Sequence, residues 1–270
     1  MAHVNSADGT PIGYDRLSDE GPVVVLVGGG LDDGSENLPL GEHLTDGFTV
    51  VSYRRRGRGD SGDHQPYALE REVEDLAAVI QAVGGRAHLF GASSGGALAL
   101  EAAAAGLPVD RLAIHEVPYQ VQDAMVTTWQ TYRHELDEAL DAGDPDLALR
   151  LFMRLAGSSE QDIAGAEAAP VWPALRELAP TLRYDAACLG DGPVPVDRLA
   201  TVQQPVLLTT GVVIDPHMGG LPLDFFGAAA DAAAAALPDA RRDTLEVQGH
   251  VADPTVLGPL LRGFFDGARD

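Results

Sequence analysis

The sequence predicts an α/β protein built on a mostly parallel eight-stranded sheet, with helices on both faces and one helical insertion. Three observations predict it. Short apolar β-type runs alternate with longer helical stretches at both ends of the chain, as in a parallel sheet covered on both sides. Several of these runs are continuously apolar rather than alternating, which suits strands buried on both faces. From residue 118 to 200 the alternation stops and the pattern is helical. That segment is expected to be a cap inserted between residues 1–117 and 201–270 of a single core, over the edge where active sites of open α/β sheets lie.

The elements follow in order. Ala2–Asn5 and Thr10–Tyr14 flank the turn Ala7-Asp8-Gly9 and read as a hairpin. Val23–Val27 is an apolar run that ends in three glycines, and Phe48–Tyr53 is a second strand. Glu70–Val83 places Val73, Leu76, Ala77 and Ile80 at helical spacing. The strand Ala87–Phe90 leads into an Ala-rich helix, Gly95–Ala105, and then the strand Arg111–His115. Beyond the insertion come the strand Pro205–Thr210, a helix from Phe225 to Leu237, the strand Arg242–Val247 and a last helix from Pro254 to Ala268.

Composition removes several classes of function. The net charge is −23 over 270 residues, which repels nucleic acid and anionic lipid surfaces. All 18 basic residues are arginine. A Schiff-base lysine and a P-loop lysine are therefore excluded, and with them class I aldolase, PLP and Walker-type NTPase chemistry. The single cysteine, Cys188, cannot form an internal disulfide and reads as a packed core thiol with nothing basic beside it. There is neither a signal-peptide pattern nor an 18-residue apolar run, so a cytoplasmic protein is expected.

Leu89-Phe90-Gly91-Ala92-Ser93-Ser94-Gly95-Gly96 contains G-x-S-x-G between a strand and a helix, the context this motif requires. The strained turn needs very small neighbours two residues either side of the nucleophile, and Gly91 and Gly95 supply them. Ser93 is the predicted nucleophile, with the backbone N–H of Ser94 as an oxyanion donor. The loop Gly28-Gly29-Gly30-Leu31 should give the second donor, from Gly30 with Gly29 close behind, and should line the site with Gly29 and Leu31. Of eight histidines, His250 alone combines a late position with a strand-to-loop boundary, so it is the predicted base. His3, His43, His64, His134 and His217 read as solvated, His88 as packed in a strand, and His115 as a pocket residue at a strand end.

Ser, acid and His in this chain order resemble the α/β-hydrolase family over nearly the whole chain. Arg54-Arg-Arg-Gly57-Arg-Gly59-Asp60-Ser61-Gly62 looks like the family's R-G-x-G-x-S loop. A narrower resemblance, to small actinobacterial α/β hydrolases, lies in His115-Glu116-Val-Pro118, Trp172-Pro-Ala-Leu, Tyr184-Asp-Ala-Ala and Gly249-His250-x-x-Asp253-Pro254. Two residues compete for the triad acid. Asp215 follows the Pro205–Thr210 strand, the usual family position, though one residue further along than is common. Glu116 follows the Arg111–His115 strand, where haloalkane dehalogenases carry theirs. The resemblance favours Glu116 and keeps Asp215 open.

It also implies an acyl-enzyme hydrolase for a small hydrophobic ester, lactone or thioester, with no cofactor and no metal. Trp129, Tyr132 and Trp172 would belong to an apolar pocket roof, with Phe152, Met153 and Tyr184 beside them. The alternative is a non-hydrolytic enzyme of secondary metabolism on the same fold, a cyclase, lyase or C–C bond-forming catalyst. A catalytically inactive ligand-binding protein ranks third. The expected partner is a small molecule, with no nucleic acid and no membrane; a homodimer is compatible with the sequence.

Overall fold

A computed structural model describes residues 1–267. Among them, eight strands form one sheet: β1 (Ala2–Asn5), β2 (Pro11–Arg16), β3 (Val23–Val27), β4 (Thr49–Tyr53), β5 (Ala87–Ala92), β6 (Val109–His115), β7 (Val206–Gly211) and β8 (Ala240–Leu245). Their spatial order is β1-β2-β4-β3-β5-β6-β7-β8. The hairpin β1–β2 joins β4 antiparallel, and every later pairing is parallel. The predicted antiparallel edge and the parallel body are both present.

The helices are α1 (Leu38–Glu42), α2 (Leu69–Val83), α3 (Ser94–Ala104), α4 (Asp123–Asp141), α5 (Pro145–Leu155), α6 (Glu160–Glu167), α7 (Trp172–Leu178), α8 (Leu182–Leu189), α9 (Val196–Leu199), α10 (Phe225–Ala236) and α11 (Pro254–Phe265). The run from α4 to α9 lies between β6 and β7 and forms the inserted helical region. Ala268, the expected end of the last helix, lies outside the described residues.

The central strands carry the core. Val24, Val25, Val27 and Leu89 are wholly buried, each contributing about 1.5–3 kcal/mol of transfer free energy. The short side chains of α3 let it lie close on the sheet. A Cβ at Gly96 would sit 2.6 Å from the Ile114 side chain, well inside contact distance.

Three local features differ from or add to the sequence reading. Of the four α2 residues read at helical spacing, Leu76 and Ile80 are buried and Val73 and Ala77 are partly buried; Glu72, Asp75, Val79 and Val83 complete the buried face. Two carboxylates occupy inward positions because arginines face them: Arg55 binds Glu72 and Arg56 binds Asp75, each through two hydrogen bonds of 2.7–2.8 Å. The last strand begins at Ala240 and stops at Leu245, short of Val247. Val247 has φ 59° and turns the chain toward His250. Helix α1, absent from the sequence reading, is a single turn with Pro39 near its start.

Candidate active site

Ser93 sits at the β5–α3 junction with φ 53° and ψ −129°, a strained conformation for a residue with a side chain. The surrounding glycines make it attainable. A Cβ at Gly91 would lie 2.6 Å from the Gly95 carbonyl oxygen, and one at Gly95 would lie 2.3 Å from that of Val27. The Ser93 N–H donates to the His115 carbonyl, 2.9 Å away. Ser94 opens α3, where an N–H has no intrahelical acceptor and the helix dipole favours negative charge.

The loop after β3 runs against this turn. Gly29 is the glycine held against Ser93; a Cβ there would be 3.1 Å from the serine Cβ. The Cβ position of Gly30 faces Phe152 at 3.3 Å and the Asp185 carboxylate at 3.6 Å. Buried arginines brace the loop: Arg55 donates to the Gly28 carbonyl at 3.3 Å, and Arg58 to the carbonyls of Gly29 and Asp32.

His250 follows β8. Its Nδ1 is 2.8 Å from Oε2 of Glu116. Glu116 is buried at the end of β6 with φ 49°, and its other oxygen accepts the Gly211 N–H at 2.8 Å. The carboxylate is thus tied to backbone on one side and to imidazole on the other. Asp215 has a different contact. Its Oδ2 accepts the backbone N–H of His250 at 2.7 Å, so it holds the histidine's loop and not its ring. The ring stacks on Phe226, with centroids 4.9 Å apart. His115 lies beneath, its Nε2 donating to the Gly249 carbonyl at 3.2 Å and its Nδ1 paired with Thr209 Oγ1 at 3.0 Å. Burial lowers the pKa of His115, which keeps it neutral in that role.

Ser93, Ser94, His115, His250, Gly29 and Gly30 share one cavity of about 400 Å³. Its walls are largely apolar and include Met125, Trp129, Tyr132, Phe152 and Leu155 from α4 and α5. Leu31, Met153, Trp172 and Tyr184, expected at the pocket, do not line it. Leu31, half-buried at φ 60°, and Met153 pack against the core. Trp172 is buried inside the helical region, its indole N–H donating to Asp146 at 2.8 Å. Tyr184 packs flat on Tyr67, 3.9 Å between centroids. The five histidines read as solvated are exposed, and His88 is buried against Phe265 and Phe48.

Among the cavity residues that sequence reasoning missed are two carboxylates. Glu36, exposed near α1, lines the cavity. Although the residue as a whole is solvent-accessible, the cavity walls take part of the carboxylate's hydration, and with the nearby Asp32 charge this raises its pKa, against a smaller opposing effect from His250. Asp185 of α8 is buried and lines the cavity too. It accepts hydrogen bonds from Ser94 Oγ (2.7 Å), Arg55 (2.6 Å) and Arg58 (2.8 Å to each oxygen). Burial opposes its charged form, but Arg58 and Arg55 outweigh that and lower its pKa. Its only sequence signal was the Tyr184-Asp-Ala-Ala match. Cys188 is also corrected: it is buried as expected, but the Arg55 guanidinium lies 3.4 Å from its sulfur. That neighbour comes from 133 positions away, and burial still pushes the thiol pKa well up.

Among the described residues no group of three His, Cys, Asp or Glu could hold a metal, and no helix is long and apolar enough to cross a membrane.

Known proteins agree with this architecture. An alpha/beta hydrolase from Sphaerobacter thermophilus is 44% identical, with a TM-score of 0.85, over 98% of this chain and all of that one. A thermophilic esterase from Thermogutta terrifontis is 20% identical, with a TM-score of 0.71, over 98% of this chain and 97% of that one, a likeness of fold. An uncharacterized hydrolase of Bacillus subtilis, YraK, is 31% identical over 90 residues, 32% of this chain. That match spans a third of the curated relative's length. The sequence profile described as the alpha/beta hydrolase family matches residues 23–257. With that match on this sheet, elbow and histidine loop, the chain belongs to the alpha/beta hydrolase family.

Proposed function

We propose that the protein hydrolyses a small, hydrophobic ester, lactone or thioester through an acyl-enzyme on Ser93, with His250 as base and Glu116 as the triad acid. The observation that carries this reading is the 2.8 Å contact between His250 Nδ1 and Glu116 Oε2, with His250 lining the same cavity as Ser93 at its strained elbow. With Nδ1–H donated to the carboxylate, Nε2 is the free basic nitrogen.

His250 Nε2 takes the hydroxyl proton as Ser93 Oγ bonds to the acyl carbon. The carbonyl oxygen becomes an oxyanion, held by the N–H groups of Gly30 and Ser94, each worth about 3–4 kcal/mol in the transition state. The imidazolium then gives its proton to the leaving alkoxide or thiolate as that bond breaks. Water, deprotonated by the same nitrogen, attacks the acyl-enzyme, and the acid leaves as Ser93 regains its proton. Glu116 stabilises the imidazolium throughout.

Residues 118–200 serve as the cap, its helices roofing the acyl or alcohol group. The lining contains no lysine or arginine among the described residues, and Asp185 is already paired. Glu36 is then the lining carboxylate without a cationic partner, which favours neutral or cationic substrates. Within the family we group the chain with the small actinobacterial hydrolases that its motifs resemble. We place it in the cytoplasm, where a lone reduced thiol is at home.

A fluorophosphonate probe tests the core of this reading. It should label Ser93 in the wild type and nothing in Ser93→Ala, whose turnover of 4-nitrophenyl butyrate should fall by about 10³-fold or more. Ser94→Ala should keep most of its labelling, since its backbone N–H survives. Wild-type turnover by Ser93→Ala would overturn the assignment.

A further inference from the structure

Asp185 sits outside the set formed by Ser93, His250 and Glu116, yet it is bonded to one side of the site where the oxyanion would form and, through Arg58, tied to the other. We propose that Asp185 is the positioning residue of the oxyanion hole, orienting both of its backbone donors from a helix of the inserted region. This rests on the assignment of Ser93 as nucleophile and of Gly30 and Ser94 as donors.

One wall is reached through Arg58. Its Nη2 binds both oxygens of Asp185 at 2.8 Å, while its Nη1 donates to the Gly29 carbonyl. The carbonyl of Gly29 and the N–H of Gly30 belong to the same peptide unit. That unit is planar and trans, so the two groups point in opposite directions. Fixing the carbonyl on Arg58 therefore fixes where the Gly30 N–H points. The constraint matters because three successive glycines, Gly28, Gly29 and Gly30, leave this backbone unusually free. A guanidinium suits the task because its fork can hold a carboxylate and a carbonyl at once, which a lysine ammonium does less rigidly.

The other wall is reached directly. Ser94 Oγ donates to Asp185 Oδ1 at 2.7 Å, so the side chain of the residue carrying the second donor is held by the same carboxylate. Arg55 adds a third bond to Oδ1 at 2.6 Å and itself grips Glu72. Asp185 is fixed in turn by its helix: α8 packs on α3, and its neighbour Tyr184 stacks on Tyr67 and donates to Asp63 at 2.7 Å. A donor must be aimed before charge develops if it is to stabilise the transition state without reorganisation. Asp185 supplies that aim at both donors while touching neither reacting atom.

The test uses purified Asp185→Asn, Ser94→Ala and wild type, with melting temperatures measured alongside. In folded Asp185→Asn, kcat for 4-nitrophenyl butyrate should fall by about ten- to a hundredfold with KM within about twofold, since a donor is misaimed rather than deleted. Affinity for a trifluoromethyl ketone, which binds as the oxyanion, should fall by the same factor. Ser94→Ala removes one wall's link without unpairing a buried charge. It should lose about three- to tenfold in kcat and ketone affinity at nearly unchanged melting temperature. If Asp185→Asn does not fold, Ser94→Ala decides.

A folded Asp185→Asn with kcat and ketone affinity at wild-type levels would overturn the inference. So would a loss confined to KM, or a Ser94→Ala unchanged in both readouts. Fluorophosphonate labelling separates the two readings: an unlabelled wild-type Ser93 would refute the nucleophile assignment, whereas with Ser93 labelled the outcome bears on Asp185 alone.

Discussion

Replacing Glu116 by Gln removes one oxygen from a carboxylate whose two oxygens are both in use. One accepts the Gly211 N–H and the other faces His250 Nδ1, each at 2.8 Å. Glutamine has one acceptor and one donor group there. The Gly211 N–H can only donate, so the amide oxygen settles there and the NH₂ group turns to His250. Nδ1 must then accept, the ring proton moves to Nε2, and the nitrogen that should take the Ser93 proton is occupied. The opposite orientation sets the NH₂ group against the Gly211 N–H. In the template triad the loss from such a tautomer error is about 10⁴-fold, or about 5.4 kcal/mol at 1.36 kcal/mol per tenfold.

Asp215→Asn keeps a carbonyl oxygen for the backbone N–H of His250, now 2.7 Å from the carboxylate. It loses only the charge on that bond, so a drop of about tenfold or less is expected, ~1.4 kcal/mol. The assay is kcat/KM on 4-nitrophenyl butyrate for both variants, with melting curves to show that each is folded. A nearly inactive Asp215→Asn beside a Glu116→Gln within tenfold of wild type would refute this reasoning.

Glu36→Gln should narrow the preference for 4-nitrophenyl butyrate over the anionic mono-4-nitrophenyl succinate by about fivefold, from ~1 kcal/mol of repulsion at an exposed site; an unchanged ratio of kcat/KM would remove Glu36 from specificity. His88 offers a pH test, because burial depresses its pKa. The unfolded chain, titrating near pH 6.5, then binds more protons in acid, so the stability tied to neutral His88 is present above about pH 6.5 and lost as pH falls toward its folded pKa. Its ring lies 4.9 Å from that of Phe265, and His88→Phe, which cannot take up a proton, should gain melting temperature over wild type more at pH 5.5 than at pH 7.5. An equal difference at both pH values would count against it.

The strands and the elbow were legible because they are written locally. Val23–Val27 reads as a buried strand from its own residues, and Ser93 as an elbow from two glycines whose missing Cβ atoms the fold requires. The boundaries that moved, such as the end of β8 at Leu245, depended on where pairing with β7 stops at Gly211. The competing acids were not separable by position alone. Asp215 and Glu116 both reach His250, one at its backbone and one at its ring, and only three-dimensional register distinguishes them. Least legible was the charge buried below the site. Only the apolar residues of α2 carried a pattern, so Glu72 and Asp75 went unread, and Asp185 had no signal beyond the Tyr184-Asp-Ala-Ala match, because each is explained by an arginine 17, 19 or 130 positions away. Trp172 failed for the opposite reason: an aromatic residue in a helical insertion serves a local core as readily as a pocket roof.

The burial of Cys188 has a practical use. Its sulfur lies on the inner side of α8, one turn from Asp185 and against Arg55, so a maleimide cannot reach it while that helix stays docked. Alkylation would therefore run at the rate at which α8 leaves α3, or in proportion to how often it does. The chain's one thiol is a native stopwatch for the undocking of its own roof, readable by mass without adding a label. Substrate analogues that press the roof down would slow it.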